Sequence, residues 1–311
     1  MDSATVERFE AGRDRLASLA YRLLGSSADA EDVVQDAFLR WQAADREHVE
    51  VPEAWLTKVV TNLALDRLRS ARARRERAVG AWLPEPLLDG DPLLGPAETA
   101  EQRESVTLAV LTLMERLPPV ERAVYVLREA FSYSHAEIAG ILDISVSASQ
   151  QHAHRAKRHV ASARTGGGID RAAARRVVEE FLAAASSGRT ERLVALLTDD
   201  ATAVSDGAGL TAKLVRFTGP VRLATALRAA FRPSPAKRKL VGGSPAFHAG
   251  LVNGSPAVLA VLADRVVGVV VLEVRDDRIA SVHGVATAAR LARLTGQWRR
   301  HEPDAPLLES W

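Results

Sequence analysis

Three runs of apolar residues at three- and four-residue steps open the chain, the spacing that gives a helix one buried face. In the first, Val6, Phe9, Leu16, Leu19, Ala20, Leu23 and Leu24 predict a helix over 5–24, ended by Gly25. In the second, Ala30, Val33, Val34, Ala37, Phe38 and Trp41 form the stripe and Ser27 is the expected N-cap. Asp29, Glu31 and Asp32 then fall in the first turn, where carboxylates offset the positive end of the helix. The opposite face presents Asp29, Asp32, Gln35 and Asp36 to solvent. The third run starts at Pro52, which suits a first helical position, and carries Trp55, Val59, Val60, Leu63, Ala64, Leu65 and Leu68.

From 80 to 97 the periodicity stops, because Pro84, Pro86, Pro92 and Pro96 cannot lie inside helices or central strands. This stretch predicts a linker, yet Trp82-Leu83-Pro84-Glu85-Pro86-Leu87 is too apolar for a spacer and is expected to dock on something. Helical spacing resumes from 98 to 164. Leu117-Pro118-Pro119 divides two helices, since a residue before proline avoids helical dihedrals. Ser134 and Glu137 make a capping box for a short helix to Leu142, and Asp143 stands where a left-handed turn residue is needed. A further helix runs from Ser147, with Ser149, Ala153, Ala156 and Val160 spaced to face inward and Gln150, Gln151, His154, Arg155 and Arg158 outward. That is a helix-turn-helix, which lays the start of its second helix against base edges in the major groove.

Gly166-Gly167-Gly168 predicts a hinge over 165–169. Beyond it the pattern predicts helices at about 170–187, 189–197 and 218–230, with a short segment at 201–204. Strand-like runs follow at Arg238–Phe247, Ala257–Ala263, Arg265–Val274 and Arg278–Gly284, with Asp276-Asp277 as a hairpin turn. Helices followed by an antiparallel meander argue for an α+β domain over 170–297. The tail over 298–311 is expected to be unstructured or docked as a strap. The chain is therefore multidomain, with two all-α domains at 1–79 and 98–164, then the α+β domain.

Charge changes this picture by its distribution, because the formal total is only +2 over 311 residues. Arg67, Arg69, Arg72, Arg74, Arg75 and Arg77 crowd against a single acid, Glu76, the density of a phosphate-binding footprint. No acid follows Asp143 before Gly168, which leaves the helix-turn-helix a basic face. Gln can pair with adenine and Arg with guanine, each pair discriminating by about 1–3 kcal/mol. The absence of cysteine excludes disulfides and thiolate chemistry and fits a reducing compartment. With neither a leader-like start nor an apolar run of membrane-spanning length, a cytoplasmic protein without membrane association is expected, and no metal or cofactor site is apparent.

Asp29-Ala-Glu-Asp-Val-Val-Gln-Asp-Ala-Phe-Leu-Arg40 and Trp55-Leu-Thr-Lys-Val-Val-Thr-Asn-Leu-Ala-Leu-Asp-Arg-Leu-Arg69 resemble two long motifs, in the same order, of the extracytoplasmic-function sigma factors of bacterial RNA polymerase. The resemblance implies that Asp29, Asp32, Gln35 and Asp36 meet core polymerase. It implies that Trp55, Asn62, Arg67, Arg69, Arg72, Arg74 and Arg75 lie at the melted −10 promoter element, with the loop 44–51 capturing a flipped base. It also implies that Ser147, Gln150, Gln151, His154, Arg155 and Arg158 read the −35 element. The segment 82–87 matches a linker motif of the group whose C-terminal extension is SnoaL-like, a cone with a pocket between sheet and helices. Asp206-Gly-Ala-Gly-Leu210 and Thr287-Ala-Ala-Arg-Leu291 are degenerate forms of two further motifs of that group. The cone shape admits a small-molecule ligand, with Asp206, His248 and His283 expected near its mouth. The implied function is promoter-directed transcription initiation, without enzymatic activity, regulated in cis by the extension. Two other readings stay open at this point: a SnoaL-like enzyme of cyclase or isomerase type carried by DNA-binding domains, and a helix-turn-helix repressor.

Overall fold

The computed structural model describes residues 3–45, 48–75, 83–95, 99–161, 169–211 and 213–309. The chain divides into two compact units, one of residues 1–79, 90–106 and 110–164, the other of 80–89, 107–109 and 165–311. Both helical domains thus fall in the first unit, while part of the linker belongs with the C-terminal domain.

In the first unit, helices α1 (Ser3–Leu24), α2 (Ser27–Ala43) and α3 (Pro52–Arg75) form a bundle around Phe9, Leu19, Tyr21, Leu23, Trp41 and Val60. Gly25 ends α1 with φ 68° and its N–H on Tyr21 O. The N-cap of α2 is Ser26, whose Oγ accepts from Asp29 N, rather than Ser27, which is buried as the first helical residue. Four helices follow: α4 (Ala100–Glu104), α5 (Leu108–Met114), α6 (Pro119–Tyr125, running into a π turn over Val126–Ala130) and α7 (His135–Leu142). The Ser134–Glu137 capping box is present in both directions, and Asp143 is left-handed at φ 54°, ψ 46°. Helix α8 (Val146–Val160) buries Ser149, Ala153, Ala156 and Val160. Ser149 Oγ, buried on the inward side of α8, meets His135 Nδ1 at 2.9 Å.

Arg22 ties this unit together from inside. Its guanidinium is fully buried and bonds Gln102 O at 3.0 Å, Ser105 Oγ and Leu94 O, while Nε reaches Ser18 Oγ. Burial pushes its pKa down to about 10, partly offset by Tyr21 and Tyr125, so it keeps its charge at neutral pH. Gly95, at φ 67°, lies so close to α1 that a Cβ there would stand 2.0 Å from Ser18 Oγ.

The second unit begins its helical part with α9 (Arg171–Ser186) and α10 (Thr190–Leu196) and continues with β1 (Leu197–Ser205), β2 (Val215–Thr218) and α11 (Pro220–Phe231). The run read as a strand over 238–247 divides instead into helix α12 (Pro235–Val241) and strand β3 (Ala246–Val252). Ser234 caps that helix through Lys237 N, Pro235 opens it and left-handed Gly242 ends it, local signals that outweigh the apolar residues. Strands β4 (Ser255–Leu262), β5 (Arg265–Arg275) and β6 (Arg278–Val285) complete the expected meander, turned by Asn253-Gly254 and by Asp276-Asp277, all at positive φ. The sheet order is β2-β1-β6-β5-β4-β3, antiparallel except where β1 runs parallel to β6. Val178, Phe181, Leu223 and Leu227 of α9 and α11 pack with Val258, Leu272 and Val282 of the sheet. Helix α13 (Ala292–Trp298) follows β6, and the tail is docked, since Leu308 pairs with Phe247 of β3.

His283 sits on β6, 5% exposed, with Nδ1 buried and unbonded. Burial, with Arg216 adding to it, pushes its pKa down to about 4 from 6.5. The unfolded chain then binds the extra proton between those values, so stability is full above pH 6.5 and falls as pH drops toward 4. The loss attributable to this group should approach roughly 3 kcal/mol, read as the difference in pH-dependent unfolding between the wild type and His283→Gln. Arg22→Met should destabilise the first unit by about 1–3 kcal/mol for each buried acceptor left without a donor, measured by denaturant unfolding.

Candidate functional site

The carboxylates of α2 lie outward as expected, with Asp29, Asp32 and Gln35 exposed and Asp36 partly so. Arg67 of α3 spans three of them, at 3.1 Å from Asp29, 3.3 Å from Asp32 and 3.5 Å from Asp36. Burial works against its charged form, but the hydrogen bonds and charges of Asp32 and Asp29 outweigh it and hold its pKa above the ordinary arginine value. Arg67, expected on DNA, is partly exposed and paired with the acidic face of α2. The face it leaves is still acidic by more than one charge.

On α3, Trp55 is half-buried with its ring 5.5 Å from that of Trp41, and Asn62 is partly exposed. Arg69 is exposed and pairs with Asp66 at 3.1 Å. Arg72, Arg74 and Arg75 continue the helix backbone, their side chains lying outside the described residues, as do Arg77 and two positions of the 44–51 loop. Helix α3 also packs against α6 and α7. There Lys58 Nζ donates to Gly140 O at 3.1 Å and to Asp143 at 2.7 Å, while Arg15 bonds Tyr133 Oη at 2.8 Å and covers the Phe131 and Tyr133 rings. The helix expected at one promoter element is therefore paired with the turn of the helix-turn-helix.

Helix α8 exposes Ser147, Gln150, Gln151, His154, Arg155 and Arg158 together along its outer side. Arg155, however, donates to buried Glu121 at 2.6 Å, and Lys157 reaches buried Glu129 at 2.9 Å. The sequence near α8 holds no acid, but α6 and the turn after it bring two. Arg155 stays on the outer side with Ser147, Gln150, Gln151, His154 and Arg158 while its Nε is held by Glu121.

The linker motif divides at its start: Trp82 lies outside the described residues, while Leu83, Pro84, Pro86 and Leu87 are buried and Glu85 partly so, within the second unit. Leu87 N donates to Asn253 Oδ1 at 2.8 Å and Leu87 O accepts from Asn253 N at 2.9 Å. Leu88 N donates to Gln297 Oε1 and Asp89 N to Leu251 O, both at 3.0 Å. Leu88 is also joined to Val252 by an isolated antiparallel bridge, which holds the linker against the C-terminal end of β3. Buried Glu273 accepts from Ser255 Oγ at 2.7 Å and from Ala109 N at 3.4 Å, holding 107–109 in the same unit. No local pattern marks Asn253 as the side chain that grips the linker 166 residues earlier.

The three polar residues expected at the pocket mouth are not brought together. A cavity of about 770 Å³ lies between α11 and the sheet, and Asp206, His248 and His283 are absent from its lining. Asp206 is a buried clamp that accepts from Ala208 N, Ala286 N and Thr287 N at 3.0–3.1 Å, with Arg290 at 3.7 Å. It thereby joins the two degenerate motifs at 206–210 and 287–291. His248 stands on β3, its ring 4.9 Å from Trp298 and its pKa lowered by burial despite a bond to Asp304 O. His283 lies between Val282 and Gly284, which line the cavity, and so points from the other face of β6. No group of three or more metal-ligating side chains occurs among the described residues, and no described helix is long and apolar enough to cross a membrane.

Known proteins match this architecture along nearly its whole length. Residues 8–74 match the model of Sigma-70 region 2 and residues 107–160 that of Sigma-70 region 4. The ECF RNA polymerase sigma factor SigJ of Mycobacterium tuberculosis is 36% identical over 95% of this chain and 99% of its own. The probable ECF RNA polymerase sigma factor SigI of the same species is 32% identical over 93% and 95%. The crystal structure of SigJ covers 93% of this chain and 98% of its own, with a TM-score of 0.69 and 31% identity. With two sigma regions followed by an α+β domain, the chain belongs to the extracytoplasmic-function sigma factors of RNA polymerase.

Proposed function

We propose that this chain directs core RNA polymerase to its promoters and that its C-terminal domain regulates this step in cis through the linker. Membership of the family supports promoter-specific initiation. The exposed carboxylates Asp29, Asp32 and Asp36, with Gln35, are assigned to polymerase. Trp55, Asn62 and the arginines beyond Arg67 are assigned to the −10 element, and the outward residues of α8 to the −35 element.

The observation that carries the regulatory part is the set of hydrogen bonds holding Leu87, Leu88 and Asp89 to Asn253, Gln297 and Leu251. A free linker of this length would leave two DNA-reading domains a wide range of separations. Fixing its middle on a third folded domain narrows that range without any tight contact to DNA. The Lys58–Asp143 pair adds a weak latch, since exposed pairs of this kind contribute about 0–1 kcal/mol. A latch of that size yields readily when polymerase and promoter compete for the same surfaces.

Purified core polymerase, target promoter and three forms of the protein test this reading: full length, a truncation after 168, and Asn253→Gly combined with Gln297→Ala. Glycine keeps the left-handed turn at 253, so the double variant removes two linker bonds worth about 1 kcal/mol each. Transcription should change by about threefold or more in the truncated form, and in the same direction in the double variant. Unaltered transcription from both forms would remove the C-terminal domain from regulation. On the DNA side, Gln150→Ala or Gln151→Ala should cost roughly 1–3 kcal/mol of −35 base discrimination. Arg155→Ala should instead lower the melting temperature and leave that discrimination in place, because its partner is Glu121; titration with base-substituted duplexes and thermal unfolding separate the two.

A further inference from the structure

The cavity of about 770 Å³ beneath α11 is a feature that transcription initiation does not use. It falls within the 300–1,000 Å³ range of small-molecule sites. Its size has a sequence cause: α11 and the sheet face each other through Ala226, Ala230 and Gly284, side chains too small to meet across the gap. Its walls cannot fall inward easily. Phe231 is held by Phe181 at 5.3 Å and Phe247 at 5.7 Å between ring centroids, and Val270 and Phe217 belong to hydrogen-bonded strands.

The lining is almost wholly apolar, and among its described residues the charged ones are Arg222 and Lys237, both cations. Lys237 Nζ is fixed in place by the carbonyls of Ala229, Ala230 and Arg232 at the end of α11. Arg222 is exposed, near the start of the same helix. A neutral, purely apolar guest would gain nothing from two cations. A cationic guest would be repelled by them.

We propose that this cavity binds an amphiphilic small molecule with an apolar body and a single anionic head, the body between α11 and the sheet and the head at Arg222. The inference goes beyond the transcriptional reading and does not depend on it, since binding is measured on the full-length protein without polymerase or DNA.

The test is calorimetric titration with three probes of one chain length below their micellar concentrations: dodecanoate, dodecan-1-ol and dodecyltrimethylammonium. Dodecanoate should bind saturably at one equivalent, raise the melting temperature and exceed both other probes in affinity by about tenfold. Ala226→Trp, which fills the cavity, should abolish that binding. Arg222→Glu, a surface change, should weaken dodecanoate by about tenfold while leaving dodecan-1-ol unchanged. Absence of dodecanoate binding, or binding undiminished in a folded Ala226→Trp protein, would overturn the site. Equal affinity for the alcohol or the quaternary ammonium would overturn the assignment of an anionic head, and should Ala226→Trp fail to fold, Arg222→Glu decides alone.

Discussion

A connecting segment rich in proline can satisfy only part of its own backbone. Prolines remove donors and leave this one a single helical turn, Pro92–Leu94, so most N–H and C=O groups that the segment buries must find partners elsewhere. Here the partners come at two places. Asn253, Gln297 and Leu251 bond Leu87, Leu88 and Asp89, while Arg22 takes Leu94 O and Gln102 O. What reads locally as a spacer is therefore a strip of backbone held by side chains far away in sequence. The segment lies between the two sigma regions.

Charge follows the same economy in the first unit. A cation near a carboxylate of its own fold stays with it unless a better partner arrives, and exposed pairs are weak enough to exchange. Arg67 answers the acidic face of α2, Arg155 answers Glu121, and Lys58 answers Asp143. The acids of α2 and Asp143 are exposed and exchangeable, whereas Glu121 is buried and needs its partner. Arginines that look alike in sequence thus divide into structural and available ones. The acid on the other side decides which is which.

In the second unit, Asp206 shows how a residue with the chemistry of a catalyst serves as a joint. Its carboxylate is consumed by three backbone amides and an arginine, which locks the loop at 206–210 to the segment at 286–290. His283 is similarly withdrawn by burial and held neutral at physiological pH. The cavity in the same unit is lined mainly by apolar side chains, with Ser205 and Thr225 uncharged and polar and Arg222 and Lys237 charged.

The sequence by itself determined the elements whose signals are local: the three-helix start, the capping box at Ser134, the left-handed turn at Asp143, the inward set of α8 and the Asp276-Asp277 hairpin. Each depends on neighbours within a turn or two, so periodicity and turn chemistry suffice. It misread 238–247, where a capped helix and a strand abut without a break in hydropathy. Only the tertiary structure decided which charges are paired, where the linker docks and what lines the cavity. These depend on contacts between residues 34 to 209 positions apart, as with Arg155 and Glu121 or Leu88 and Gln297, and no local pattern encodes a partner at that distance.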